Sequence, residues 1–246
     1  MGNIVSNRVS FLLIGNGHVA KHMACYFETL GLSWRQWFRK SHNSLQASLE
    51  STTHVLLLIP ESAIDDFVRA HPELQNKVLV HFSGCLVSSY AMSAHPLMTF
   101  SDKLFSADFY SSVAFVTRKE EAGFDSLLPG LPNPHHVISV RQASLYHCLC
   151  VMANNFTQQL WVKCISDMQD KLGIPQQALW PFLEKTVENI QSDPGRKYVG
   201  PFARQDFKTI EDNLLALRGD SFQSVYEAFV KQFKEDVMES EQNERT

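Results

Sequence analysis

Val9-Ser10-Phe11-Leu12-Leu13-Ile14-Gly15-Asn16-Gly17-His18-Val19-Ala20 is an apolar run that passes straight into a Gly-x-Gly-x-x-Ala turn. The first glycine permits a tight turn, the second lets backbone approach a pyrophosphate, and the small third residue lets the next helix pack closely on the strand. Val19, Met23, Tyr26, Phe27 and Leu30 then recur at helical spacing, and Gly31 stops the pattern. A helix begun there turns its free N–H groups and positive dipole end toward the turn. Gly15, Asn16, Gly17, His18 and Val19 are therefore assigned to a dinucleotide cofactor; the alternative is an ordinary strand-to-helix turn.

The stretch beyond it decides which dinucleotide. Trp34-Arg35-Gln36-Trp37-Phe38 alternates like a second strand, yet no acid occurs between Glu28 and Glu50 to hold a ribose 2′-hydroxyl. Arg39-Lys40-Ser41 stands there instead, two cations and a hydroxyl that suit the 2′-phosphate of NADP. A solvated basic loop is the alternative. His54-Val55-Leu56-Leu57-Leu58-Ile59 is continuously apolar, as expected of a strand buried on both faces, and Pro60 follows at its carboxyl end. Ser62 with Asp65 resembles a helix cap. Lys77 to Phe82 gives another strand, and Ser83 follows it into the same expected ligand edge. This β-α alternation predicts an α/β fold, a Rossmann-type doubly wound parallel sheet.

His95-Pro96 reads as loop, Tyr110 to Thr117 as a strand, Glu120 to Leu128 as a helix, and His136 to Val140 as the last strand. From Gln142 onward only helical patterns occur. The expected domains are 1–141, binding NADP, and 142–246, an all-helical domain for substrate and dimerisation. Ser144 to Leu172 has almost no breaker and predicts one buried helix roughly 40 Å long at 1.5 Å per residue. Further helices are expected near 176–191, 207–218 and 221–239.

The 22 Lys and Arg against 26 Asp and Glu leave a net charge of −4, which argues against a broad nucleic-acid footprint. Five cysteines, mostly in apolar company, suggest reduced thiols in a cytoplasmic protein, with Cys85 the exposed one. No apolar run reaches a membrane span, and no His cluster has metal-ligand spacing, so neither membrane nor metal is expected. Met1-Gly2-Asn3-Ile4-Val5-Ser6 fits the loose N-myristoylation pattern, although a short leader before the first strand is the preferred reading. A small helical domain often completes its core against a second copy, which predicts a homodimer.

On the long helix His147 and Asn154 lie seven residues apart and share a face, with Asn155 at its edge. Reducing a carbonyl or imine needs a proton as well as a hydride, so His147 is the candidate acid and the asparagines candidate substrate contacts. A core histidine bonded to backbone is the alternative. His95 follows the fourth strand and is a candidate substrate contact or a turn residue. Arg204, in Gly200-Pro201-Phe202-Ala203-Arg204-Gln205-Asp206, could clamp a carboxylate or pair with an acid, and Asp206 suits a helix N-cap.

Taken in order, the glycine turn, Arg39-Lys40-Ser41, Pro60-Glu61-Ser62-Ala63-Ile64, His81-Phe82-Ser83-Gly84, His95-Pro96-Leu97-x-Thr99-Phe100, Tyr146-His147, Asn154-Asn155 and Gly200-Pro201-x-x-Arg204-x-Asp206 resemble the Rossmann-like oxidoreductases that carry a C-terminal helical domain of unknown function. That family is related to pyrroline-5-carboxylate reductase and the β-hydroxyacid dehydrogenases. The resemblance implies NADP binding, a helical domain that commonly dimerises, and a reductase of unassigned substrate. The β-hydroxyacid dehydrogenases place a lysine four residues before an asparagine on the first long helix; here His147 is followed at that spacing by Val151, so no lysine mechanism carries over. The expectation is an NADP(H)-dependent oxidoreductase acting on a small carbonyl, hydroxy acid or imine in an interdomain cleft. A non-catalytic NADP sensor is the rival, and a deazaflavin-dependent reductase a third option.

Overall fold

The computed structural model describes residues 9–243, so the Met1–Ser6 lipidation pattern lies outside the described residues. In β1 (Ser10–Ile14) every side chain from Phe11 to Ile14 is at most 1% exposed. Successive strand residues face opposite sides, so such a run must be covered on both faces. Phe11 and Leu13 join one core cluster with Ala20, Met23 and Phe27 of α1 (His18–Thr29). Leu12 and Ile14 join the other, with Leu45 of α2 (Leu45–Ser48) and Ile64 and Val68 of α3 (Ile64–Ala70). Truncating one of these leucines to alanine would cost about 2–5 kcal/mol.

Around β1 the sheet has the order β2-β1-β3-β4-β5-β6-β7. Its other strands are β2 (Ser33–Trp37), β3 (His54–Leu57), β4 (Val78–His81), β5 (Met92–Pro96), β6 (Phe115–Arg118) and β7 (His135–Ile138). All pairs are parallel except β5 with β6. The chain changes sides of β1 between β2 and β3, and open α/β sheets take ligands at the carboxyl ends beside such a switch. The fold is the Rossmann-type α/β sheet expected, with one antiparallel pair that alternation alone did not predict.

Four local expectations are corrected. His95 and Pro96 belong to a strand, because they pair with Val116 and Phe115 of β6; β4 pairing stops at Ser93, and Leu97 N donates to Ala114 O. The Pro96 nitrogen, one residue earlier, thus faces no ladder partner, and its missing N–H costs nothing. Tyr110 to Ser112 end a helix, α4 (Ala107–Ser112), whose N-cap Ser106 accepts from Phe109 N; only Phe115 to Arg118 are extended. The expected helix 120–128 shrinks to α5 (Phe124–Leu127). Ser62 does not cap α3, and Asp65 accepts from Ser88 Oγ at 2.6 Å instead.

After β7 the chain is helical. The long helix comprises α6 (Ala143–Val151), a π-helical turn (Met152–Phe156) and α7 (Thr157–Leu172). Its first half is not buried as expected, for Leu145 is 62% exposed and Leu149 54%. There follow α8 (Trp180–Ser192), α9 (Gly200–Ala203), α10 (Phe207–Ala216) and α11 (Gln223–Asn243). The chain forms two compact units, 1–162 and 163–246, which divide within α7 rather than at the end of the sheet. The second has its own small core of Ile210, Val230 and Phe233. Within it Asp220 accepts from Lys163 Nζ at 2.7 Å and Lys171 Nζ at 3.1 Å. No helix among the described residues is long and apolar enough to cross a membrane.

Candidate functional site

Gly15 has φ +134°, and a Cβ placed on it would lie 2.1 Å from the Leu58 carbonyl oxygen. Glycine is thus required by conformation and by space. Gly17 differs: it is the N-cap of α1 with nothing within 4 Å of a Cβ, so its turn opens onto free volume. No side chain caps α1 and no acid stands in its first turn, which leaves first-turn N–H groups available to an anion. From β2, Gln36 Nε2 donates to Gly15 O at 2.8 Å and holds the turn. That role was not foreseen from the sequence, since a glutamine in an alternating strand carries no distinctive signal.

A cavity of about 320 Å³ lies against this turn, and its lining includes Gly17, His18, Val19, Glu61 and Ser83. Gly15 and Asn16 precede that wall, and Pro60 lies between its members Ile59 and Glu61. Ser83 Oγ accepts from Cys85 N at 3.3 Å and Leu86 N at 3.0 Å and donates to the Glu61 carboxylate, so its hydroxyl fixes the loop after β4. Burial and the neighbouring Glu61 push the Cys85 thiol up. Cys85 is half-buried, and Cys148 is the exposed cysteine, contrary to expectation. Arg39 and Lys40 are exposed in the turn after β2, and neither is ion-paired among the described residues. Ser41 Oγ accepts from Phe38 N at 2.9 Å, which closes that turn.

His95, next to last in β5, meets α6. Its Nδ1 lies 2.6 Å from Tyr146 Oη, and its ring stands 6.3 Å from that of His147, nearly perpendicular to it. Gly84 makes this possible: a Cβ there would lie 2.7 Å from His147 Cδ2 and 3.3 Å from His95 Nε2. Burial, then His147 and Arg118, holds His95 down at about 4, a neutral imidazole at physiological pH. Burial and Arg118 likewise hold His81 at about 4 against the opposing pull of Glu61 and Asp65. Arg118 is itself only 3% exposed at the end of β6. The Tyr146 hydroxyl is pushed up by burial and by Cys150, and so keeps its proton.

A second cavity, of about 420 Å³, runs along the long helix past Leu97, Met98, Val151, Asn154 and Asn155. His95 and His147 line both cavities. The asparagines sit in the π-helical turn, where Asn154 Nδ2 donates to Asn155 Oδ1 at 3.3 Å. Such turns widen a helix locally and are frequent at functional sites. The structure thus brings His95, His147, Asn154 and Asn155 together, and adds Tyr146 and Gly84. The contact of His95 with Tyr146 spans 51 residues and leaves no local trace in the sequence. Arg204 lies in the second compact unit, exposed at the end of α9; Asp206 beside it caps α10 as expected, accepting from Thr209 N at 3.1 Å.

No curated protein matches the chain in sequence. Residues 114–233 match the family described as a domain of unknown function, DUF2520. That segment begins beside β6 and includes Tyr146, His147, both asparagines and Arg204. Solved structures are similar over nearly the whole chain. A candidate NADP oxidoreductase from Bacteroides fragilis has a TM-score of 0.75 at 18% identity, covering 93% of this chain and 99% of its own. A protein from Thermotoga maritima has a TM-score of 0.68 at 22% identity, covering 94% and 99%. A reductive aminase from Aspergillus terreus, solved with an NADPH-type cofactor, cyclohexanone and allyl amine, has a TM-score of 0.61 at 15% identity, covering 94% of each. At such identities the likeness establishes the fold. The chain has a Rossmann-type fold, and its residues 114–233 are similar to the DUF2520 family.

Proposed function

We propose that the protein is an NADP(H)-dependent oxidoreductase that exchanges a hydride with a small carbonyl, hydroxy acid or imine substrate. The observation that carries this reading is that the cavity on the glycine turn and the cavity along the helix share His95 and His147. The residues present fit the dinucleotide. The space a Cβ would fill at Gly15, the open volume at Gly17 and the uncapped start of α1 form a cradle for a pyrophosphate. Gly15, Asn16, Gly17, His18, Val19, Pro60 and Ser83 would hold it, and the unpaired Arg39 and Lys40, with Ser41, would take its 2′-phosphate. When bound, the reduced nicotinamide supplies hydride.

The chain's own residues supply the rest. Tyr146 keeps its proton, and donating it to His95 Nδ1 leaves the ring hydrogen on Nε2, beside Gly84 and His147. His95 then passes its Nε2 proton to the oxygen or nitrogen of the substrate as the hydride arrives and takes the Tyr146 proton on Nδ1, so the ring stays neutral and Tyr146 regains a proton from water. His147, against it across Gly84, is the alternative donor, and Asn154 and Asn155 orient the substrate. Substituting the true donor should lower kcat about 10²–10⁴-fold with NADPH affinity retained. Comparing His95→Gln with His147→Gln for carbonyl-dependent NADPH oxidation identifies it, and wild-type turnover in neither direction would overturn the reading.

The reading includes a homodimer through the helical segment. Leu145, Leu149, Met152 and Phe156 recur at helical spacing and are each at least 50% exposed in the single chain, a stripe that a second copy would cover. Light scattering should give twice the chain mass, and Leu149→Glu should return it to the monomer value. A wild-type monomer would remove this part.

A further inference from the structure

The helix cavity deepens the proposed function, and its assignment to a class of substrate rests on that reading. Of the residues that line it, none is Asp, Glu, Lys or Arg. Apart from Cys150 and from His95 and His147, which face the proposed reacting end, its wall divides into two parts. Leu97, Met98, Val151 and Ala153 offer an apolar surface, while Thr99, Asn154 and Asn155 offer hydroxyl and amide groups that donate or accept without fixed charge. A carboxylate taken from water into such a wall loses hydration and gains no guanidinium fork or ammonium, which sites built for carboxylates supply. An ammonium would likewise find no carboxylate. The buried cation nearest the site, Arg118, is absent from this lining.

We infer that the cavity accepts an uncharged ketone, aldehyde or imine with an apolar body and discriminates against oxo acids and hydroxy acids. The chemical step is the same for each, hydride to the substrate carbon and a proton to its oxygen or nitrogen. The alkyl body lies along Leu97, Met98, Val151 and Ala153, and the amides of Asn154 and Asn155 bond a neutral ether, ester or carbonyl oxygen farther along the substrate. The asparagines thereby set which end of the molecule points toward His95.

The test uses the full-length protein with NADPH and pairs of probes that share one carbon skeleton, an oxo acid and its ethyl ester. The ester should be reduced with a kcat/KM about tenfold or more above that of the acid, a difference of about 1.4 kcal/mol. Leu97 is exposed, so Leu97→Arg places a cation in the wall without entering the core, and it should shift the ratio toward the acid by about tenfold. Equal reduction of both probes, preference for the acid, or no shift in Leu97→Arg would overturn the inference and leave the oxidoreductase reading standing. Failure of both probes to oxidise NADPH, while NADPH still raises the melting temperature, would take down both readings.

Discussion

Leu13 of β1 and Leu149 of α6 are the same side chain in opposite circumstances, the first fully buried and the second 54% exposed. Burying a leucine contributes roughly 1.5–3 kcal/mol. The sheet collects that stabilisation within one chain, because helices cover both of its faces. The long helix leaves its apolar stripe uncovered, and the second unit closes only a small core around Phe233. The sheet is therefore a finished object that presents a rigid glycine turn. The helical segment is an unfinished one, whose apolar stripe at Leu145, Leu149, Met152 and Phe156 stays exposed in the single chain.

The largest expected effect breaks the finished region. Gly15→Ala forces a Cβ onto the Leu58 carbonyl at a φ of +134° and should cost several kcal/mol in urea unfolding, with loss of NADPH binding. Gly173→Ala, after α7, is the matched control. Its φ is +68°, but nothing lies within 4 Å, so only the conformational cost of about 1–2 kcal/mol applies. Equal costs at the two positions would erase the contrast between closed and open regions.

A pH titration of stability sharpens the same contrast. His81 and His95 titrate near 4 in the folded chain and near 6.5 when unfolded, so between those values the unfolded chain binds more protons. Their contribution is complete above about pH 6.5 and is lost as pH falls toward 4, each histidine adding up to about 1.4 kcal/mol per pH unit. His81→Gln should flatten part of this slope, and an unchanged slope would show that His81 is not held neutral by the fold. A smaller effect is expected at the exposed rim. Arg39→Ala with Lys40→Ala should weaken NADPH binding about tenfold and leave NADH binding unchanged, as read by fluorescence titration. Equal losses for both cofactors would contradict the 2′-phosphate assignment.

The closed region was also the legible one. The run from Phe11 to Ile14 and the glycines after it state their structure locally, since buried strands, tight turns and helix starts depend on neighbours in sequence. Errors arose where a neighbour in space overrode the local signal. Pro96 ends a strand because its nitrogen faces no partner, which cannot be seen without knowing where β4 stops. Ser106 could have announced α4, for Ser106-Ala107-Asp108-Phe109 is an ordinary capped start, but the β-branched and aromatic residues after it outweighed that signal. Within the site His95, His147, Asn154 and Asn155 could be named as polar residues in apolar surroundings. Their geometry could not, because Tyr146 reaches His95 across the fold and the π-helical turn has no sequence signature.

The most direct test of the central claim follows NADPH fluorescence in the full-length protein while ketones, aldehydes, imines and oxo acids are added in turn. Carbonyl-dependent NADPH consumption is expected, lowered about 10²–10⁴-fold by His95→Gln with little change in NADPH affinity. Tight NADPH binding without consumption on any of these compounds would contradict it and leave a protein that senses the cofactor without using it.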